Sequence, residues 1–280
     1  TVRNLLPGAS YYARVRAFNG NQIPAPLNGF IVFASTMTIA DPRITISPAP
    51  PSPYIPLGGL AGVWQFDEGS GLTSADGSSA VNTAQFTCTA ALCASTPTFA
   101  AGPTGFGMAA SFSGLYGVVR TQNNFTAFND DLTVEAWVYP QYAAQGDYAG
   151  LVAIGNKGAE DFALDVVAGR FRFLATPGSA ASATLPITAD AWTHVAGVYD
   201  SVAGSATLYL NGVAAATVTG VPARTNSNQP LSIGNRRDAV GNYTLPFFGR
   251  IDSVRILNRA LKAPEVLSAY QGGFVSTITP

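Results

Sequence analysis

Short β-prone runs separated by turn residues dominate the sequence from about residue 58 to residue 272. Thr133–Tyr139, Trp192–Tyr199 and Ile251–Leu257 are examples, and turn signals recur at intervals of roughly 8–15 residues. Asn211-Gly212, between two such runs, is the strongest short signal for a β-hairpin. Short strands joined by tight turns bury a continuous core by packing two sheets face to face. The pattern therefore predicts an all-β fold, an antiparallel β-sandwich of roughly 12 to 14 strands.

One segment near the C-terminus departs from this pattern. Pro264–Tyr270 predicts a short helix, because proline is tolerated in a first helical turn and Gly272 follows as a stop signal. We expect residues 273–280 to form a C-terminal tail.

Charged residues are scarce, since 15 Lys and Arg and 16 Asp and Glu give a charged fraction of 11% and a net charge of −1. A chain without excess positive charge lacks the electrostatic footprint of a nucleic-acid-binding protein, so we expect no nucleic-acid partner. No apolar stretch approaches the roughly 18 residues of a spanning helix, so we expect no membrane insertion. An apolar fraction of 47% is enough for a large core and excludes a disordered chain.

The first 40 residues predict two or three further strands, within Tyr11–Phe18 and Ile31–Ile39. Leu5-Leu-Pro-Gly-Ala-Ser-Tyr11 resembles the E–F corner of a fibronectin type III domain, with Tyr11 at the tyrosine-corner position. The resemblance covers the C-terminal part of such a domain. We therefore expect this segment to continue N-terminally, to pack on the next domain, or to be completed by another chain.

Six prolines in residues 41–57 predict a semi-rigid, extended spacer between the two domains. The chain opens with Thr1-Val-Arg-Asn, which lacks the features of a signal peptide, and we expect it to be a piece of a longer protein.

Two cysteines, Cys88 and Cys93, are separated by four residues. A local disulfide is the simplest interpretation, with free thiols as the alternative. A disulfide would indicate an oxidising compartment, so we expect a secreted, extracellular or cell-surface protein.

Five motifs, in one order, resemble those of laminin-G-like, concanavalin A-type jelly-roll domains. They are Trp64–Gly71, Ala110–Val119, Leu132–Pro140, Trp192–Val213 and Leu231–Leu261. The resemblance implies a jelly roll over residues 58–272 and a lectin-like role. Trp137 and Trp192 are interpreted as core residues between the sheets rather than ligand platforms. His194, the single histidine, is interpreted as structural rather than catalytic.

The same resemblance implies a structural Ca²⁺ site. Carried over by position, its ligands would be Asp252, Asp67 or Glu68, and Gly114, all of which offer the oxygen donors that Ca²⁺ prefers. Asp252 stands inside an apolar strand, where a buried acid needs a partner or a metal. The alternative is that backbone N–H groups satisfy it without a metal.

No catalytic constellation is visible in the sequence. The glycosidases of this fold carry paired carboxylates on one strand, whereas Glu135 stands alone in its strand. Neither a Gly-x-Ser-x-Gly elbow nor a phosphate-binding glycine loop occurs. We therefore expect a protein that is not an enzyme.

Two loops combine aromatic rings with polar groups, as carbohydrate sites do; the alternative is that both are ordinary solvated loops. The candidate ligand-binding residues are Tyr142, Asp147 and Tyr148 in the first loop, and Arg236, Arg237, Asp238 and Tyr243 in the second.

Three functions remain. The first is a non-catalytic adhesion or binding module that recognises carbohydrate or a cell-surface glycan. The second is a structural subunit of an extracellular fibre, sheath or surface layer, with neighbouring subunits as partners. The third is an accessory region of a polysaccharide-degrading enzyme.

Overall fold

The computed structural model describes residues 59–89, 96–113, 116–125, 131–224 and 228–272, together with four short strands nearer the N-terminus. The chain divides into two compact units, Thr1–Tyr54 and Ile55–Pro280.

The first unit contains two antiparallel strand pairs. In one pair β1 (Ser10–Tyr11) is bonded to β4 (Thr36–Met37), and in the other β2 (Arg14–Arg16) is bonded to β3 (Phe30–Val32). The fibronectin type III resemblance of residues 1–40 stays a prediction. The proline-rich spacer at 41–57 and the tail at 273–280 lie outside the described residues.

Two sheets form the second unit. Sheet I has, in spatial order, β18 (Val213–Thr219), β17 (Ser205–Leu210), β16 (Thr193–Asp200), β11 (Leu132–Pro140), β22 (Phe248–Leu257), β9 (Met108–Ser113) and β8 (Thr98–Ala101), with β5 (Leu60–Trp64) also paired to β22. Sheet II has β15 (Ser179–Ser182), β14 (Arg170–Thr176), β13 (Ala159–Val167), β12 (Ala149–Asn156), β19 (Ser232–Ile233), β10 (Gly117–Thr121), β7 (Ala84–Cys88) and β6 (Thr73–Ser74), with β20 (Asn235–Arg237) and β21 (Tyr243–Pro246) joined beside β12. The pairings are antiparallel except for β12 with β20.

The antiparallel sandwich and the short C-terminal helix are thus confirmed. The described part of the second unit has eighteen strands, more than predicted, because elements as short as β6 and β19 are too brief to carry an alternation pattern. Asn211-Gly212 connects β17 to β18, as predicted.

The core lies between the two sheets. Alternate residues of each strand enter it, for example Val134, Ala136 and Val138 of β11 opposite Phe171 and Phe173 of β14. A Cβ atom on Gly197 of β16 would stand 2.2 Å from Cδ2 of Phe173, so the sheets approach closely where this residue has no side chain. Because the interior is densely packed, a side chain must fit the available space there as well as be apolar.

The helix α1 (Ala263–Gly272) covers the outer face of sheet I. Its Val266 packs with apolar residues from the sheet and the preceding loop, namely Ala196, Val198, Tyr209, Leu257 and Leu261. The described part of the chain contains no helix with the length and apolarity needed to cross a bilayer.

The position of Trp137 differs from the one predicted from the sequence, which was between the two sheets. It alternates with Ala136 and Val138, which face the core, and its ring contacts Phe106 and Tyr270 at centroid distances of 5.3 and 5.7 Å. Trp137 therefore lies on the outer face, and Trp64 is the fully buried tryptophan of the core, donating its indole N–H to Asn82 O at 3.1 Å.

Gly197→Ala is expected to destabilise the protein by about 1–3 kcal/mol, because its methyl group would overlap the Phe173 ring. The measurement is the free energy of urea-induced unfolding. Gly146→Ala is the matched control, since a Cβ there meets no atom within 4 Å, and it should change stability by less than about 0.5 kcal/mol. Equal stability of the two variants would contradict the close approach of the sheets.

Candidate functional site

A β-bulge in β22 decides where Asp252 points. Glu135 of β11 pairs with Arg255, but the next same-face residue, Trp137, pairs with Asp252. Ser253 and Val254 therefore oppose the single residue Ala136, and Ser253 has a φ of 50°. The extra residue reverses the alternation, so Asp252 lies on the outer face of sheet I and not in the core.

Asp252 is fully buried in this position. Its Oδ1 accepts a hydrogen bond from the Ser253 N–H at 2.6 Å, while its Oδ2 has no hydrogen-bond partner among the described residues. Burial raises the pKa of Asp252 to about 8, and the nearby negative charge of Asp67 also raises it. A carboxylate in this situation calls for a neutralising partner.

Several oxygen atoms converge beside Asp252. A Cβ atom on Gly102 would stand 3.0 Å from Gly107 O, 3.0 Å from Met108 O and 3.1 Å from Asp252 Oδ2. Asp67 approaches the same turn, where its Oδ1 accepts the Met108 N–H at 2.9 Å.

The structure thus brings Asp67 and Asp252 together, as the calcium prediction requires. Glu68 points elsewhere, because its Oε1 accepts the Ala75 N–H at 2.8 Å. Gly114 lies outside the described residues. No group of three or more His, Cys, Asp or Glu side chains in the described ranges is arranged to hold a metal, so carbonyl oxygens would have to complete the ligands.

Cys88 ends β7, and Cys93 lies outside the described residues. The Cys88–Cys93 disulfide stays a prediction.

A second buried charge lies on the same face of sheet I. Glu135 is fully buried and paired with Arg255, and His194 Nε2 lies 3.5 Å from its Oε2. Burial alone would raise the pKa of Glu135, but Arg255 and His194 outweigh it, so the pKa is lowered. Glu135 is thus a buried, paired anion, an arrangement that fits a structural role.

The three candidate residues of the first predicted ligand loop make separate contacts. Tyr142 is 51% exposed and contacts the ring of Phe248, with the centroids 6.0 Å apart. Asp147 Oδ1 accepts the Ala168 N–H at 2.7 Å, and the Tyr148 ring lies 3.8 Å from Lys157 Nζ. Tyr142 thus contacts a different residue from those that Asp147 and Tyr148 contact, and the prediction that the three bind a ligand stays a prediction.

Arg236 of the second loop is fully buried and forms ion pairs with Glu160 and Asp165. Burial lowers the pKa of Arg236 to about 10, so the guanidinium remains charged at neutral pH. The Arg236 side chain is therefore buried against two carboxylates and does not line the described cavity surface, and its role in ligand binding stays a prediction.

Asp238 shapes its own loop. Its Oδ1 accepts the N–H groups of Val240 and Asn242 at 3.0 and 2.9 Å, and its Oδ2 accepts the Thr244 hydroxyl at 2.8 Å. The hydrogen bond from Asn242, with that from Thr244, lowers the pKa of Asp238.

Arg237 and Tyr243 do come together, at a cavity of about 380 Å³. The Arg237 guanidinium carbon lies 5.1 Å from the centroid of the Tyr243 ring. The described lining residues are Thr89, Tyr116, Arg120, Arg237, Gly241, Asn242, Tyr243 and Thr244.

Sequence reasoning missed Thr89, Tyr116, Arg120, Asn242 and Thr244. One signal was available: Arg120 interrupts the apolar strand β10, whose alternate residue Val119 enters the core. A charged residue at such a position marks the face directed away from the core, and here that face borders the cavity.

A match to a protein-family model agrees with the two-sheet sandwich described above. The laminin G model of the concanavalin A-like lectin/glucanases superfamily matches residues 113–267. The chain belongs to this superfamily. No curated protein matches the chain.

Solved structures share the superfamily fold at low sequence identity. Domain 4 of an extracellular GH43 arabinanase from Geobacillus stearothermophilus, in complex with arabinotriose, is 21% identical with a TM-score of 0.59, covering 76% of this chain and 98% of that one. The binding domain of Paraclostridial mosquitocidal protein 1 is 16% identical with a TM-score of 0.57, covering 76% and 52%. The binding domain of botulinum neurotoxin serotype G is 16% identical with a TM-score of 0.56, covering 76% and 50%. These likenesses show the fold.

Arg236→Met should destabilise this superfamily member by about 3–5 kcal/mol, because Glu160 and Asp165 would lose a buried cationic partner. Urea unfolding measures the effect. Arg170→Met is the control, since Arg170 is exposed and forms no ion pair with a described residue; it should change stability by less than about 0.5 kcal/mol. A stable Arg236→Met protein would contradict the buried ion pairs.

Proposed function

We propose that the chain is a non-catalytic carbohydrate-binding module of an extracellular protein, and that the glycan binds at the cavity lined by Arg237 and Tyr243. The observation that carries the proposal is the composition of that cavity. Tyr116 offers an exposed aromatic ring, the Tyr243 ring carries Arg237 at the cavity wall, and Asn242 and Thr244 offer hydrogen-bonding groups. Sugars present apolar ring faces and hydroxyl groups together, so a site of this composition matches both.

The position of the cavity supports the proposal as well. It is built from the residue after β7, from β10 with the residue before it, and from the β20–β21 segment, so three segments distant in sequence meet there. Loops held by a rigid sheet are where binding sites concentrate. Among the structures of similar fold, the arabinanase domain holds arabinotriose, and the two toxin domains are binding domains.

The non-catalytic part of the proposal rests on the carboxylates. Most glycoside hydrolases use two carboxyl groups that flank the scissile bond. Glu160 and Asp165 are buried in ion pairs with Arg236, Glu135 is paired with Arg255, and Asp238 is hydrogen-bonded within its loop. Carboxylates held in this way are poor candidates for a general acid and a nucleophile.

Tyr116→Ala should weaken glycan binding by about tenfold or more, because exposed aromatic rings provide much of the contact energy at such sites. The measurement is binding of the full chain to a glycan array, followed by titration calorimetry with the best-bound oligosaccharide.

Tyr142→Ala is the matched control for this prediction. Tyr142 is also an exposed tyrosine, but it lies against Phe248 outside the cavity lining, so its loss should leave binding unchanged. If Tyr142→Ala abolished binding and Tyr116→Ala did not, the site would be the other loop. If the array showed no binding at all, the proposed function would be wrong.

The proposal includes a structural Ca²⁺ ion held by Asp252 and Asp67, with carbonyl oxygens of the Gly107–Met108 turn. The orphaned Oδ2 of buried Asp252 and the convergence of oxygens about 3.0 Å from the Gly102 Cβ position support it. All of these are the hard donors that Ca²⁺ takes. The ion would neutralise Asp252 and fix the turn between β8 and β9.

Ca²⁺ should stabilise the protein against thermal unfolding, by about 2.7 kcal/mol at a concentration about 100 times the dissociation constant. Asp67→Asn and Asp252→Asn should both remove this response, since each deletes a ligand charge. Scanning calorimetry with Ca²⁺ and with a chelator, plus elemental analysis, makes the measurement. Glu68→Gln is the control and should keep the response. A wild-type protein that binds no metal would support instead an Asp252 satisfied by the backbone.

A further inference from the structure

The cavity is positively charged, and this charge indicates which kind of sugar it would bind. Two of the described lining residues are arginines, Arg120 and Arg237, and none of them is acidic. Both arginines are half-buried. The chain as a whole has a net charge of −1, so this positive charge is a property of the cavity rather than of the protein surface in general.

Four other arginines of the sandwich are neutralised by carboxylates, and Arg170 and Arg250 donate to backbone carbonyl oxygens. Arg172 pairs with Asp165 at 2.6 Å, Arg259 pairs with Glu265 at 2.9 Å, and Arg236 and Arg255 form buried ion pairs. Arg120 and Arg237 are different: within the described ranges, neither forms an ion pair nor donates a side-chain hydrogen bond.

The surroundings leave the hydrogen-bonding edges of these groups available. Arg237 makes a cation–π contact with Tyr243, its guanidinium carbon 5.1 Å from the ring centroid, and this contact occupies none of its N–H groups with a hydrogen-bond acceptor. Asp238, the carboxylate of the same loop, is occupied by Val240, Asn242 and Thr244. It therefore stabilises the loop without pairing with either arginine.

Tyr243 adds a third unsatisfied group. The residue lines the cavity and is 5% exposed, and its hydroxyl is buried without a hydrogen-bond partner among the described residues. A buried hydroxyl without a partner is costly, so this part of the cavity wall is not fully satisfied by the described residues.

We propose that the cavity selects an acidic sugar, one that carries a carboxylate or a sulfate ester, with Arg120 and Arg237 as the residues that recognise the anionic group. The inference rests on the proposed carbohydrate-binding function. Guanidinium groups present planar pairs of N–H donors that match such oxyanions, and hydrogen bonds between charged partners are the strong ones. A neutral sugar would fill the cavity but leave both cations without an anionic partner.

The test compares pairs of glycans that differ in the acidic group alone. Oligogalacturonate is compared with its methyl ester, and a sulfated galactan with the desulfated polymer, by calorimetry on the full chain. We expect at least one acidic member to bind about tenfold or more tightly than its neutral partner, and added salt to weaken this preference. The two pairs distinguish carboxylate from sulfate recognition.

Arg120→Gln and Arg237→Gln should each reduce binding of the acidic glycan by about tenfold and leave binding of the neutral partner nearly unchanged. Arg170→Gln is the matched control: it removes an exposed arginine outside the cavity and should keep the preference. The unfolding midpoint of each variant is measured in parallel, so that a loss of binding by a folded variant is attributed to the site.

The outcomes separate this inference from the function on which it rests. Equal binding of acidic and neutral partners, or a preference that survives both Gln variants, would overturn the acidic-sugar proposal and leave carbohydrate binding intact. Absence of binding to any acidic or neutral glycan on the array would overturn both.

Discussion

The interior between the two sheets is filled mainly by apolar side chains, and this constraint disfavours an unpaired charge there. An unpaired charge buried between the sheets would cost several kcal/mol, because the densely packed interior offers it neither water nor a counterion. Glu135, Asp165 and Asp252 are all fully buried, yet each lies on a face that points away from the core. The outer faces, covered by α1 and by loops, are thus the places where this fold buries polar chemistry.

Bulges are the local device that makes such placements possible. In β22 the bulge at Ser253 reverses the alternation between Ile251, which enters the core, and Asp252. In β13 the register shifts between the pairs made by Ile154 and Gly155, next to Glu160. Each bulge allows one strand to keep its apolar residues inside while an acidic side chain lies on the outer face. The position of the bulge therefore determines which oxygens can meet.

The fold was accessible from the sequence because alternation and turn residues are local signals. The runs around Trp137 and His194, and the Asn211-Gly212 turn, specify strands and a hairpin without knowledge of distant contacts. The Asp67–Asp252 pair followed from motif resemblance rather than from any pattern that predicts their proximity. The bulge that directs Asp252 outward has no local signature, since Ser253 is an ordinary residue at a positive φ.

The cavity was beyond sequence reasoning for a different physical reason. Its lining comes from Thr89, from Tyr116 and Arg120, and from the loop after Arg237, and nothing in any one segment indicates that the three meet. Even within the predicted loop, the neighbours Arg236 and Arg237 differ, because Arg236 is buried in ion pairs and Arg237 lines the cavity. Adjacent residues of a strand point to opposite sides, and the starting side of the three-residue β20 cannot be derived from its own sequence.

The opposite orientations of Arg236 and Arg237 also connect stability to recognition. Arg236 links β20 to Glu160 and Asp165 through buried ion pairs outside the core, and Asp238 holds the following loop through three hydrogen bonds. Arg237 stands between these two anchors, so its backbone is held before any ligand arrives. A binding residue whose position is already fixed loses less conformational entropy on binding than one on a loose loop. The buried arginine thus contributes to the cavity without touching its contents, because it holds the strand from which Arg237 extends.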